Sequence, residues 1–477
     1  MHAEPTATSA AIRSMLETTL AAQRKAYFAA PVPSYAERLA DLRTLQRFAR
    51  ENKEAIAAAI NADYGNRSRH ETLFAELYPV VDGIDHIISH LKRWMKPQRR
   101  AIDLRNFLGA SNRLIPQPVG IVGCIVPWNF PINLSLVPLS YILAAGNRAM
   151  IKMSENSRHL ARFFIDTLPK YFPQDKVAVF DEVGGVGIEF SQLPFDHLIF
   201  TGSSTTGKAV MAAAAQNLCP VTLELGGKSP ALVCPDFPLR KAAERILFVK
   251  LFNAGQICTT VDYLFLPDGK VDEFVAMAKE IVVARYPQLG TPDYTAIIDE
   301  RAFHRVKGAI EQAEAGGAKV VQLIPGPRWD EAARKIAPVL VIDAPEGSDL
   351  LTREIFGPVL PVRTYKQVDD AVAYINARPR PLAFYPFSYD SALIAHLLDH
   401  VMSGGVSVND ALFHVAQHDL PFGGIGNSGM GHYHGKEGFD TFSKLRPVFY
   451  QTRFSTLPFL HPPYGKFAER MLAFLIK

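Results

Sequence analysis

Cysteine is scarce in this chain of 477 residues: Cys124, Cys219, Cys234 and Cys258 stand far apart and form no CxxC pair. That spacing argues against a disulfide framework or a paired-cysteine zinc site, and no metal is expected. Unpaired thiols point to a reducing, cytoplasmic setting. A surplus of one charge is lacking too. Lys and Arg number 51 against 47 Asp and Glu, a formal net charge of +4. With no dense basic run, nothing recommends nucleic acid as a partner. The one basic cluster, Lys92, Arg93, Lys96, Arg99 and Arg100, reads as a solvated helix end. Residues 1–16 carry no apolar h-region, so no secretory signal is expected.

A long unbroken hydrophobic run is also missing. No charged residue lies between Arg113 and Arg148, but Pro127, Asn129, Pro131, Asn133 and Pro138 interrupt that stretch. A bilayer cannot satisfy a backbone broken so often. The stretch therefore reads as a buried strand, a tight loop and a buried helix, with no integral membrane segment. No sequence repeat and no low-complexity linker is visible.

What is present is a large interior. Hydrophobic residues make up 48% of the chain and charged residues 21%, a globular balance, and the length allows two or three domains. Apolar residues at three-to-four spacing predict helices over 36–63 (Leu39, Leu42, Leu45, Phe48) and over 72–95 (Leu73, Leu77, Val80, Ile84, Ile88, Leu91). Residues 101–118 are irregular and read as an extended arm or hairpin. Short β-branched runs then predict strands at 119–126, 149–153, 177–180, 197–201, 221–225 and 231–234, with helices at 131–145, 157–171 and 206–215 between several of them. Such alternation predicts a parallel sheet covered on both faces. It resumes over 236–290 and 300–400, which predicts a second α/β domain packed tightly on the first.

Six segments carry chemistry. Residues 200–208, FTGSSTTGK, follow a predicted strand and open a helix, whose N-terminus attracts phosphate. They are not a GxGxxG fingerprint. They approach a P-loop, but Ala209 offers no hydroxyl for magnesium. The plain alternative is a glycine-bearing strand-to-helix turn. Cys258 ends the polar loop Asn253-Ala254-Gly255-Gln256-Ile257, whereas Cys124 and Cys234 sit in apolar runs as core cysteines do. A free thiol, with a pKa of about 8.5, needs help to become a nucleophile. Glu224 closes a predicted strand ahead of Gly226 and Gly227, where a carboxylate could be a general base, a solvated charge or a helix cap. Asn129, in Pro127-Trp128-Asn129-Phe130-Pro131, is aimed by flanking prolines toward an oxyanion, or else caps the helix that follows. Residues 354–358, EIFGP, and 421–429, PFGGIGNSG, each read alone as turns.

Taken together and in this order, PWNFP, IKMSE, FTGSS, LELGGKS, FNAGQIC, EIFGP and PFGGIGNSG resemble the aldehyde dehydrogenase superfamily over residues 36–449. GNSGMGHYHGKEGFDTFS looks most like its class 3 branch. Asn66-Arg67-Ser68, PFDHLIFTG, FNAGQIC and Pro292-Asp293-Tyr294-Thr295 look like the bacterial coniferyl-aldehyde dehydrogenases of that branch.

The resemblance implies an α/β fold in three parts. A Rossmann-like cofactor domain would span 1–100 and 119–224, and a catalytic α/β domain 225–420. A small β oligomerisation arm would comprise 101–118 and 436–452, with a tail at 453–477 and a homodimer as the assembly. It implies NAD(P)-dependent oxidation of an aldehyde to an acid, coniferyl aldehyde to ferulate being the first choice and other aromatic or aliphatic aldehydes the alternative. Cys258 would attack the aldehyde carbon. Asn129 and the Cys258 amide would form the oxyanion hole, and Glu224 would activate water and help deprotonate Cys258. Lys152 and Glu155 would take ribose hydroxyls, so NAD is expected ahead of a tolerated NADP. Ser203 and Gly202 would hold the pyrophosphate, with Gly207 and Leu225 beside them. Glu354 would hold the nicotinamide ribose, with Phe356 and Trp128 at the nicotinamide end.

Two departures from the family pattern stand out: Met153 where Pro is usual, and Ser204 where Thr is usual. The apolar tail (Leu457, Phe459, Leu460, Met471, Leu472, Phe474, Leu475, Ile476) is broken by Lys466, Glu469 and Arg470 and is too short to cross a bilayer. It would pack on the same subunit or a partner. A non-catalytic relative would be expected to lack Cys258 or Glu224, and both are present. A nucleotide hydrolase is disfavoured by Ala209. A cysteine hydrolase would need a histidine base, for which His304, His414 and His418 are the candidates. Phe130, Tyr141, Tyr263 and Phe413 could line an aldehyde entry or be core.

Overall fold

A computed structural model describes residues 9–103, 107–453 and 461–476. Five strands run parallel in the order Val177–Phe180, Arg148–Lys152, Ile121–Ile125, His197–Gly202, Val221–Leu225, and the short strand Gly429–Met430 pairs antiparallel outside the last. In chain order this is 3-2-1-4-5. The direction of winding reverses between Ile121–Ile125 and His197–Gly202. In open parallel sheets, ligands bind at the strands' carboxyl ends beside such a reversal. The segments leaving those two strands are Pro127–Phe130 and Gly202–Ser204.

Both faces are covered. Helices Tyr35–Glu51, Lys53–Tyr64, Tyr78–Trp94 and Asn133–Ala145 pack on one face. The N-terminal helix Ser9–Ala29 covers the other with Ile12, Leu16 and Leu20. The charge-free stretch is what its proline pattern requires. It forms a buried strand and then a helix buried from Leu134 to Ala145. Among the described residues no helix is long and apolar enough to cross a membrane.

The second sheet has seven strands in the order 319–322, 339–342, 359–365, 263–267, 230–233, 383–387, 405–406, parallel except for the first pair. Its two faces bury separate cores. A third, small sheet pairs Ser443–Tyr450 with Ser111–Pro118 over eight residues, and Ser111–Pro118 with Gln98–Arg100.

Several details depart from the sequence reading. The helix expected over 36–63 breaks at Asn52 (φ −106°, ψ 12°). The Asn52 side chain bonds the Phe48 carbonyl at 2.8 Å, competing with the next backbone turn. The helix expected over 72–95 opens with a π-turn, Leu73–Leu77. Pro79 has no N–H to give the Ala75 carbonyl, and Asn133 Nδ2 donates to it instead (3.3 Å). Of the segment 436–452, only Ser443–Tyr450 joins the small sheet. Gly435–Thr441 is a helix, with Phe439 buried and Gly438 against the Tyr141 ring. In the tail, helix Lys466–Leu475 is exposed except at buried Ala468 and half-buried Met471. Leu457, Phe459 and Leu460 lie outside the described residues.

Candidate active site

Glu224 is the last residue but one of Val221–Leu225, the outermost parallel strand of the first sheet, with Thr201 beside it on one neighbour and Gly429 on the other. It is 3% exposed, and neither carboxylate oxygen has a hydrogen-bond partner. Burial raises its pKa well above the usual carboxylate range. An unsatisfied buried carboxylate is costly.

Cys258 follows the one stretch of this region with a left-handed backbone: Asn253 (φ 51°), Ala254 (φ 50°) and Gly255 (φ 75°). A Cβ on Gly255 would stand 2.3 Å from the Gly357 carbonyl oxygen, so only glycine fits. Cys124, Cys219 and Cys234 are buried, whereas Cys258 is partly open and rests against the core under the first sheet's helices. Burial and the charges of Glu354 and Glu224 push its thiol up to about 12. The N–H groups of Cys258 and Thr259 act in the opposite direction. Burial and two carboxylates thus favour the neutral thiol, and two amide N–H groups favour the thiolate.

Asn129 is buried at the carboxyl end of Ile121–Ile125, and its Nδ2 donates to the Gln256 carbonyl at 3.3 Å. The second Nδ2 hydrogen is left for another acceptor. Gln256 is itself fixed: its Nε2 donates to Asn253 O and Ala296 O, and its Oε1 accepts from the Ile298 N–H, all at 3.0 Å. Asn129, Gln256 and Cys258 thus belong to one braced loop pair.

Glu354 lies between the short helix Asp349–Thr352 and the strand 359–365 of the second sheet. Burial and the charge of Asp262 raise its pKa to about 8, opposed by the Gly227 N–H, Lys228 and Arg305. Its Oε1 has no partner. Lys228 pairs with Asp262 and donates to the carbonyls of Leu350 (2.7 Å) and Arg353 (3.0 Å), while Asp262 accepts from the Ile355 N–H (3.1 Å). Sequence reasoning quoted Lys228 only as part of a motif and missed Asp262. Their signal was an opposite-charge pair next to two motifs. Lys250, fully buried with no hydrogen-bond partner, was missed as well.

The remaining expected residues fall along the same sheet edge. Ser203 caps the helix Ser204–Ala215, its Oγ accepting from the Thr206 N–H at 3.2 Å. Gly207 admits Leu225, whose Cδ2 would lie 2.6 Å from a Cβ there, and Gly202 admits the Phe200 ring. Trp128 and Phe356 meet edge to face at 5.4 Å. Lys152 ends its strand buried and paired with Glu182, a partner the sequence did not suggest. Glu155 is exposed beside it and accepts from Ser154 Oγ. The turn 421–429 closes the edge: Ser428 O accepts the Leu225 N–H (3.1 Å), and Ser204 Oγ donates to Asn427 O (3.0 Å). A helix N-terminus for phosphate, a lysine and carboxylates for ribose hydroxyls, and an orphaned Glu354 oxygen fit a dinucleotide.

The other readings lose their support. His418 is bonded to Asp82 and His414 to Ser407, and the acidic side chains acting on the Cys258 sulfur are Glu354 and Glu224. Among the described residues no cluster of three or more His, Cys, Asp or Glu could hold a metal ion. Tyr141 and Tyr263 are core residues, each 2% exposed. Phe130 lies under the Arg67 guanidinium, and Phe413 is exposed.

Comparison with known proteins gives the family. Residues 3–448 match the model of the aldehyde dehydrogenase family. The chain is 48% identical over 460 residues to a "Probable coniferyl aldehyde dehydrogenase" of Pseudomonas aeruginosa, covering 96% of each. It is 44% identical over 431 residues to the "Coniferyl aldehyde dehydrogenase" of a Pseudomonas species, covering 89% of each. The solved substrate-bound state of Staphylococcus aureus AldH superposes with a TM-score of 0.90 at 33% identity, over 96% of this chain and 99% of that one. The chain belongs to the aldehyde dehydrogenase family, and its chemistry is the oxidation of an aldehyde with a nicotinamide cofactor.

Proposed function

We propose that this enzyme oxidises coniferyl aldehyde or a closely similar phenylpropenal to the acid, with NAD as the preferred cofactor and Cys258 as nucleophile. The observation that carries the substrate reading is the 48% and 44% identity, over nearly whole chains, to two proteins named for coniferyl aldehyde. A row of rings agrees with it. Phe413 stacks on Phe248 (6.4 Å, 7° between planes), Phe248 meets Phe252 at 5.5 Å, and exposed Phe74 meets Phe252 edge-on at 6.3 Å. This row runs from the surface to the loop that leads into Cys258 and suits a planar aromatic aldehyde.

The chemistry follows from the chain's own groups. Glu224, with its raised pKa, takes the thiol proton as sulfur bonds the aldehyde carbon. The oxygen of the resulting thiohemiacetal gains negative charge, held by Asn129 Nδ2 and the Cys258 N–H. Collapse of that anion expels hydride and leaves a thioester on Cys258. The nicotinamide, when bound, supplies the hydride acceptor. Glu224, after releasing the thiol proton to solvent, takes a proton from water as it attacks the thioester; the expelled thiolate then recovers that proton, and acid and free thiol separate. Ser203, Lys152, Glu155 and Glu354 would hold the cofactor. The exposed Glu155 carboxylate opposes a 2′-phosphate and favours NAD.

Among the described residues no strand pairs with the outer edge of Ser443–Tyr450, and a second copy is the natural occupant of such an edge. A homodimer is therefore part of this reading, and so is a cytoplasmic location, which four free cysteines support. The substrate claim is tested by steady-state rates for cinnamyl, benzyl and long-chain aliphatic aldehydes with NAD and NADP. The highest kcat/KM should fall on the phenylpropenals with NAD. A preference for aliphatic aldehydes would overturn the substrate assignment and leave the chemistry untouched.

A further inference from the structure

The segment Asn66-Arg67-Ser68 has no part in the reaction described above, yet it sits beneath it. The backbone carbonyl of Asn129 collects three donors: Arg67 Nη1 at 2.7 Å, the Tyr64 hydroxyl at 3.2 Å and Asn253 Nδ2 at 3.3 Å. Arg67 Nη1 also donates to the Tyr64 hydroxyl at 3.1 Å. Its guanidinium lies 4.9 Å from the centroids of both Tyr64 and Phe130, the residue after Asn129. Arg67 is fully buried, 3.5 Å from the equally buried Glu76. The other Glu76 oxygen accepts the N–H groups of Ile132 (2.6 Å) and Asn133 (3.2 Å). One ion pair therefore grips the Asn129 loop at Asn129 and again three residues later.

The grip extends to the cysteine loop. Glu71 Oε1 accepts the Asn253 N–H (3.0 Å), and its Oε2 accepts from Thr295 Oγ1 (2.6 Å). Asn66 Nδ2 donates to the carbonyls of Pro292 and Tyr294, and Ser68 bonds Asp293 and Thr295. The segments 66–68 and 292–295 thus form a single clamp whose output is the placement of Asn129 and Asn253.

We propose that Arg67 is a positioning residue of the reaction, which aims the Asn129 amide at the substrate oxygen by fixing the Asn129 carbonyl. The bond is charge-assisted, buried and part of a connected network, the circumstances in which a hydrogen bond holds geometry most firmly. Arg67 reaches no reacting atom; its effect passes through Asn129. This inference rests on the reading of Asn129 as an oxyanion donor.

The test compares single-turnover NADH formation, with NAD and coniferyl aldehyde, for Arg67→Gln, Arg67→Lys and Tyr64→Phe, each made in the native chain and in Asn129→Ala. NAD affinity is measured in parallel by fluorescence. In the native chain Arg67→Gln should slow the hydride-forming phase by on the order of ten- to a hundredfold, the scale of an ångström misplacement. Arg67→Lys should restore part of that loss, and NAD affinity should hold. In the Asn129→Ala background the same change should cost nothing further. Tyr64→Phe, which removes a donor and no charge, should slow the native chain roughly two- to fivefold and the Asn129→Ala chain not at all. It carries the test if Arg67→Gln does not fold. Equal losses in both backgrounds, or no loss in the native one, would overturn the positioning role. If Asn129→Ala itself leaves the rate unchanged, the oxyanion reading fails first, and that outcome is distinct.

Discussion

The carboxylate of Glu354 occupies the space that a side chain on Gly226 would need: a Cβ there would lie 2.0 Å from Oε2. The two lie 128 positions apart in the chain, and the fit leaves Glu354 room only while position 226 is bare. Gly226→Ala should displace Glu354, the residue assigned to the nicotinamide ribose. KM for NAD should rise on the order of tenfold, with kcat falling as well, while the melting temperature moves little; about 1.4 kcal/mol of lost binding corresponds to that factor. Steady-state kinetics against NAD checks it. Unchanged constants would separate Glu354 from cofactor binding.

Glu224 should be needed twice, and the second need is easier to isolate. Glu224→Gln should give a slowed burst of NADH, since the thiol proton must leave to solvent, that reaches close to one equivalent per site and then stalls because water is no longer activated. The pH dependence has a definite sign. Glu224 works as a base in its ionised form, and burial raises its pKa above the usual carboxylate range. Deacylation in the native enzyme should therefore rise with pH beyond that range and fall as the group protonates. In Glu224→Gln that dependence should vanish. Rapid-quench measurement of thioester hydrolysis across pH decides this, and sustained turnover in the variant would require another base.

Asn129→Ala should lower kcat by a factor of about 10²–10³, the usual loss for one oxyanion donor, with NAD binding intact. Asn129 does not cap the helix Asn133–Ala145 with its side chain, whose recorded bond goes to the Gln256 carbonyl. A loss of melting temperature without a loss of kcat would restore the capping role.

The cofactor preference can be checked at an exposed group. Glu155→Gln removes the charge opposed to a 2′-phosphate and should raise kcat/KM with NADP, relative to NAD, by about tenfold, or about 1.4 kcal/mol of relieved repulsion. An unchanged ratio would shift attention to Glu182, the carboxylate paired with Lys152.

Much of this was legible in the sequence because the chemistry sits at strand ends and strand ends are easy to find. Val221–Leu225 and His197–Gly202 announce themselves as short β-branched runs, so Glu224 and Ser203 could be placed before any coordinates. Cys258 stood apart from Cys124 and Cys234 by the polarity of its loop. What stayed hidden depends on contacts between distant segments. Tyr141 and Tyr263 could not be divided between entry and core, because an aromatic side chain reads the same in a core and at a mouth; both are core. The strand Gly429–Met430 is two residues long, too short for a period, yet it seals the edge beside Glu224. The clamp from Arg67 to Asn129 joins residues 62 positions apart through a backbone carbonyl, which no side-chain pattern records.

The account stands on a covalent bond between substrate carbon and the Cys258 sulfur, and the most direct test is to look for it. Glu224→Gln is mixed with NAD and coniferyl aldehyde, quenched in acid after the burst and digested for peptide mass spectrometry. The peptide containing Cys258 should carry the acyl group of the corresponding acid, in amounts equal to the NADH formed. NADH formed with Cys258 unmodified would contradict the mechanism.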